Sequence, residues 1–128
     1  MNVTRNIALS GLQAAATRLQ VSAGNVANLT ARGEAPADGG EAENLFKPGH
    51  VVQTATANGG TAAKVRPVEP AHVIVPDPNS QSGVAAAPNV DLAKELVEQT
   101  IAETSFKANA AVLRTVDEIE ETLLNIKR

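Results

Sequence analysis

The sequence predicts a mainly α chain, in which long N- and C-terminal helices enclose a small β-hairpin element. Three observations carry this. Apolar residues recur at helical spacing from Thr4 to Leu29; no proline or glycine falls between Asp91 and Lys127; and the intervening stretch turns rich in Gly, Pro, Ala and Thr. The chain divides accordingly into an N-terminal helical segment (1–32), a loop with a small β element (33–88) and a C-terminal helical segment (89–128).

In the first segment Leu12, Leu19 and Val26 recur every seven residues, with Ala15, Ala16 and Ala23 beside them. That places them on one stripe of a helix about 40 Å long. A core-facing helix of this kind normally carries a charged face opposite its stripe. Here Arg18 is the sole ionisable side chain between Asn6 and Ala31, and Ser10, Ala14, Thr17, Val21, Asn25 and Asn28 fill the far side. A helix with no solvating face, too polar for lipid, needs protein neighbours on several flanks. The amides of Asn25 and Asn28 must then be hydrogen-bonded, either to partner helices or at the helix C-terminus, where Asn28 also reads as a stop ahead of Gly33.

The middle segment opens with Gly33 to Asn44, acidic and turn-prone, which reads as a loop. His50 to Thr56 and Thr61 to Val68 are extended candidates joined by A-N-G-G, whose Asn58 and Gly59 suit a tight hairpin turn. His72 to Pro76 is a third short strand, and the prolines at 67, 70, 76 and 78 favour exposed edge positions. In the last segment Asn89 or Asp91 caps a helix of about 55 Å. Its apolar band joins Val97, Ile101, Ala108, Val112, Val116, Ile119, Leu123 and Ile126, widened by Phe106, Leu113 and Leu124, with Asn109 on the margin. Glu103 with Lys107 and Arg114 with Glu118 stand at the spacing that supports an exposed helical face.

Composition closes off several functions. A net charge of −3 and only two aromatics, Phe46 and Phe106, offer neither a basic field nor a stacking platform for nucleic acid. There is no cysteine, hence no disulfide or thiolate chemistry. His50 and His72 lack a carboxylate pattern of metal-site form and read as solvated strand residues, and Gly39-Gly40 and Gly59-Gly60 lack the lysine and helix of a phosphate loop. The acids at 117, 118, 120 and 121 point around a helix instead of converging on a cation. No catalytic residue, cofactor site or small-molecule substrate is expected. Ser10, Gly11 and Gln13 interrupt the apolar run after Arg5, so a cleaved leader is not expected either.

Two stretches resemble a known family. Ala8 to Gly33 is similar to the N-terminal segment of flagellar basal-body rod and hook proteins, in which a small-residue helix leads into N-x-A-N, matched here by Asn25, Ala27 and Asn28, with Thr30 and Gly33 following. Gly83 to Ile126 resembles the family's C-terminal segment, through P-N-V-D-L at 88–92, the aromatic-x-A-N core at Phe106, Ala108 and Asn109, and the closing L-L-x-I at Leu123, Leu124 and Ile126. Val84 stands where the family usually has tyrosine, and Glu34 where an aromatic is usual. P-N-V-D-L and the short length point, within the family, to a proximal-rod subunit.

The resemblance implies that the terminal helices pair as an antiparallel coiled coil and that many copies stack into the periplasm-spanning rod of the basal body, a torque-transmitting shaft around the export channel. It implies as partners other rod subunits, further copies of the chain, the membrane-ring junction and the flagellar type III export apparatus, with delivery needing no cleaved signal. Leu12, Leu19 and Val26 are then expected in the intramolecular seam, and Asn25, Asn28 and Asn109 in bonds between helices or subunits. Phe106, Val112, Val116, Ile119 and Leu123 join them as helix-packing or intersubunit positions. With so few large apolar residues to offset backbone entropy, the isolated chain is expected to be marginal until packed. The rival readings are another rod or hook-basal-body paralogue, or a soluble helical-hairpin adaptor or chaperone that binds a partner helix.

Overall fold

The computed structural model describes residues 2–40 and 42–126. Met1, at the head of the leader-like stretch, Glu41, inside the expected loop, and Lys127, the expected end of the second helix, lie outside the described residues. Helix α1 (Asn2–Ala27) contains six alanines and no proline, and it stops where Asn28 takes over the carbonyl of Gly24. Both the side-chain amide (2.9 Å) and the backbone N–H (3.2 Å) of Asn28 donate to that carbonyl, which satisfies one of the orphan acceptors at a helix C-terminus. Helix α2 (Leu92–Ile126) starts at Asp91, whose carboxylate accepts the N–H groups of Ala93 (2.9 Å) and Lys94 (3.2 Å) as an N-cap. Asn89 does not cap the helix; its amide donates to the carbonyl of Pro70 at 2.9 Å and ties the helix entrance to the preceding loop. Further along, Glu103 is ion-paired with Lys107 one turn on. The hydrogen bond and the charge of Lys107 hold its carboxyl below the usual glutamate range.

Between the helices lie five strands: β1 (Gly33–Glu34), β2 (Gly49–Ala55), β3 (Thr61–Pro67), β4 (His72–Pro76) and β5 (Val84–Pro88). Hairpin β2–β3 pairs Gly49 with Pro67 through Ala55 with Thr61, and its turn places Gly59 at a φ of +80°, a conformation that favours glycine. The other three strands form a separate antiparallel sheet in the order β1-β5-β4.

This corrects the expected fold class. The chain is not mainly α with one small hairpin: 49% of it is helical and 21% is strand, in two antiparallel sheets. Glu34 belongs to β1 and not to a loop; a strand of two residues leaves no alternation to detect. β5, V-A-A-A-P, gives no strand signal because alanine is a poor strand former and the stretch runs straight into a helix cap. Nor is the β region uniformly exposed. Ala85, Ala86 and Ala87 are buried, and Ala86 packs with Ala42 and Leu45, next to Ala31, in a compact apolar cluster. Small residues on β5 let the 42–45 loop lie close above the sheet. His72 is likewise not a solvated strand residue, for its Nε2 donates to the carbonyl of Phe46 at 3.1 Å and so pins that loop to β4.

Leu45 supplies most of this cluster's apolar bulk. Leu45→Ala should cost about 2–4 kcal/mol, read as a lower urea midpoint. An unchanged midpoint would show that the cluster contributes nothing to cooperative folding.

Candidate functional site

The helix pair organises the molecule. Along α1, Ala8, Gly11, Ala15, Arg18, Ser22 and Asn25 follow a three-four spacing, and along α2, Glu95, Ala102, Asn109 and Val116 recur every seven residues. These two lines meet. Arg5 near the start of α1 binds Asp117 and Glu120 near the end of α2. Gly11 lies against Asn109, Arg18 binds Glu98 at 2.6 Å, and the Ser22 hydroxyl donates to the backbone carbonyl of Glu95 at 3.0 Å. The helices therefore run antiparallel, in contact over most of the length of α1.

The seam is made of small and polar side chains. A Cβ on Gly11 would lie 2.6 Å from Cγ of Asn109, so the absence of a side chain sets how near the helices come. At the far end Asn25, 1% exposed, joins three elements. Its amide donates to the carbonyl of Gly49 on β2 and to the Glu95 carboxylate on α2, both at 2.8 Å, and its carbonyl accepts the N–H of Gly49 at 3.2 Å. Every polar group of that amide is used, which is what makes its burial tolerable. Arg18 repeats the pattern two turns away, donating to Gln53 of β2 at 2.8 Å as well as to Glu98.

A neighbouring stripe of α1 receives the hairpin. The Ser10 hydroxyl accepts the N–H of Thr61 at 3.0 Å, Val21 lines a groove with Val65, and Ala14, between them on the helix, is buried. Much of the uncharged surface of α1 is therefore covered from within the chain, by α2 on one side and β2–β3 on the next.

The expected site residues divide sharply. Asn25 and Val116 are buried, Leu12, Val26, Asn28 and Asn109 are half-buried, and Leu19, Phe106, Val112, Ile119 and Leu123 are exposed by between 42% and 54%. The expected seam of Leu12, Leu19 and Val26 is thus displaced: the line that faces α2 runs through Ala8, Ala15 and Ser22, and Leu19 sits outside it. Asn28 and Asn109 bond within their own helices, to the carbonyls of Gly24 and Ser105. Sequence reasoning placed Ala15 on the expected stripe but missed Ala8, Gly11, Ser22 and Glu95. The signal was available in the seven-residue repeat of small residues around a mid-helix glycine. On α2 the exposed Val97, Ile101, Val112, Ile119, Leu123 and Ile126 line one continuous stripe that is left open among the described residues. Among the described residues no helix is long and apolar enough to cross a membrane, and no three His, Cys, Asp or Glu side chains gather to hold a metal.

Two mutational series test the seam. Asn25→Ala leaves the Glu95 carboxylate and both Gly49 backbone groups short of partners and should cost about 2–4 kcal/mol by urea unfolding; Glu95→Gln, which keeps an acceptor for the amide, should cost less. Gly11→Ala should destabilise the chain although alanine favours a helix by about 1 kcal/mol. In an Asn109→Ala background the same substitution should stabilise it, and a sign that does not change would rule out the close approach.

The C-terminal part of the chain is similar to known proteins. Residues 81–126, which cover β5 and all of α2, match the family described as Flagellar basal body rod FlgEFG protein C-terminal. The chain is 41% identical over 46 residues to the flagellar hook protein FlgE of Escherichia coli K12, and equally to that of Salmonella typhimurium LT2. It is 40% identical over 48 residues to the flagellar basal-body rod protein FlgG of Bacillus subtilis 168. These stretches take in 36% and 38% of this chain but only 11% of the hook proteins and 18% of the rod protein. They do not single out a proximal-rod subunit. Through its C-terminal segment, then, the chain is similar to flagellar rod and hook proteins.

Proposed function

We propose that the chain is a structural subunit of the flagellar basal body, one that polymerises through its terminal helices into the torque-transmitting rod around the export channel. The observation that carries this reading is the inverted distribution of side chains over the helix pair. Alanine, glycine, serine and asparagine fill the intramolecular seam, while Leu9, Leu19, Phe106, Val112 and Ile119 face outward. Apolar surface of this extent, arranged in stripes along rod-like helices, suits burial against neighbouring helices in an assembly. No chemistry competes with it, since the polar groups of the seam are consumed in holding the helices together.

Within the family, P-N-V-D-L favours the proximal rod and a protein akin to FlgC. That position carries with it the proposed partners: other rod subunits, the membrane-ring junction, and the type III export apparatus that would deliver the chain. Asn25 acts in this reading as an internal brace. The exposed apolar residues, not the asparagines, make the subunit contacts.

Leu19→Lys and Phe106→Lys each place a charge on the outward surface without touching the seam. Each should weaken self-association at least about tenfold, measured by sedimentation, with the circular dichroism of the dilute chain unchanged; in cells, shaft assembly and motility should fail. Full assembly by both variants would refute the reading.

A further inference from the structure

Of the asparagines in the chain only Asn58 is followed by glycine. The pair stands at the turn of the β2–β3 hairpin, where the Gly59 N–H donates to the Thr56 carbonyl at 3.0 Å and the Thr56 N–H to the Gly60 carbonyl at 2.9 Å. Asn58 is exposed, and its carboxamide makes no hydrogen bond to any described residue. An asparagine side chain so placed is open to attack by the backbone nitrogen of the residue after it, and a glycine there has no Cβ to obstruct the approach.

The same turn is seated on α1. The Thr61 N–H donates to the Ser10 hydroxyl at 3.0 Å, and Asn58 lines a groove with Asn6, Ile7 and Ser10. The fit is close: a Cβ on Gly60 would lie 2.7 Å from the Ser10 Oγ, and one on Gly59 would lie 3.3 Å from the Ile7 Cδ1. While the tip is seated, the Gly59 N–H is bonded to the Thr56 carbonyl. The Gly59 nitrogen reaches the Asn58 side chain only when that bond opens.

We propose that Asn58-Gly59 is a self-modifying site, at which seating of the hairpin tip on α1 holds back cyclisation of the asparagine. In the open turn the Gly59 nitrogen gives up its proton to solvent and bonds to Cγ of Asn58. The Cγ–Nδ2 bond breaks, and Nδ2 takes up a proton and leaves as ammonia. Water then opens the imide at one of its two carbonyls, giving aspartate, or isoaspartate in which the main chain runs through Cβ and Cγ. No reactant besides water is needed. Isoaspartate adds one carbon to the backbone of a turn already in contact with Ser10 and Ile7, which unseats the tip. Either product places a carboxylate on a hairpin that has no acidic residue between 44 and 68. The reaction belongs to the single chain and does not depend on assembly, and its product marks the time that a chain has spent with its hairpin lifted.

The test follows conversion of amide to acid by mass spectrometry and peptide mapping while the full chain stands in mildly alkaline buffer, beside a peptide of residues 54–62, which has no α1 to seat the turn. The product should gather at Asn58 ahead of Asn79, the exposed asparagine of the β4–β5 loop, whose successor Ser80 carries a Cβ. The chain should react at least about tenfold more slowly than the peptide. Ser10→Ala removes the acceptor of the Thr61 N–H, and Gly60→Ala drives a Cβ towards the Ser10 hydroxyl. Each should speed the reaction at Asn58 about two- to tenfold and leave that at Asn79 unchanged, which separates lifting of the tip from unfolding of the chain. Equal rates in chain and peptide, acid at Asn79 first, no acceleration in either variant, or the same acceleration at both asparagines would overturn the proposal.

Discussion

The close approach of two antiparallel helices across a line of alanine, glycine and serine is the constraint from which the rest of the molecule follows. Once α1 and α2 meet at Gly11 and Asn109, little room is left at the crossing for a bulky apolar side chain, and Leu9, Leu19, Phe106, Ile119 and Leu123 stand exposed. In an ordinary two-helix hairpin the large residues would fill the interface and stabilise the pair through burial. Here the interface is held by contact distance and by polar bonds: Ser22 to a backbone carbonyl, Arg18 to Glu98, and Asn25 to both Glu95 and Gly49. Such bonds contribute modestly to stability, yet they fix register, because a shift by one helical turn would leave a buried amide and a buried carboxylate without partners. The seam gives precision where a leucine-filled one would give strength.

That division explains why some of the structure was legible in the sequence and some was not. The two helices were plain from periodicity and from the absence of proline and glycine after Asp91, and the hairpin from A-N-G-G between alternating stretches. The three-stranded sheet was hidden because its central strand is three alanines and its third member is two residues long. At the seam, side-chain size misleads. Leu12, Leu19 and Val26 form the conspicuous heptad, whereas Ala8, Ala15 and Ser22 form the one that packs, since close packing selects for smallness and hydropathy patterns reward bulk. The near absence of charge on α1 pointed to protein neighbours, and those the structure supplies belong to the same chain: α2 on one side and β2–β3 over Ser10 and Val21 on the next, which sequence alone could not assign.

Sequence and structure agree most closely at the helix ends. The C-terminal match ends with α2 at residue 126 and begins at residue 81, just before β5, so it follows a unit that folds as strand, cap and helix. The features that the resemblance picks out there have separable physical roles. Asp91 caps, Asn89 fastens the cap to the loop at Pro70 and Ala71, and Asn109 presents its amide to Gly11. None is placed for chemistry, and each sets where α2 starts or how near it comes to α1.

The three-stranded sheet bears on how the molecule can be elaborated. Among the described residues β4 and β5 pack against neither helix, and the loop between them folds on itself through Asp77, Ser80 and Gly83. Extra chain grafted at that loop would start and finish at neighbouring points on a surface remote from the helix pair, with no seam residue displaced. The fold thus holds a port where a longer protein of the same plan can carry an additional module while its helical shaft stays the same.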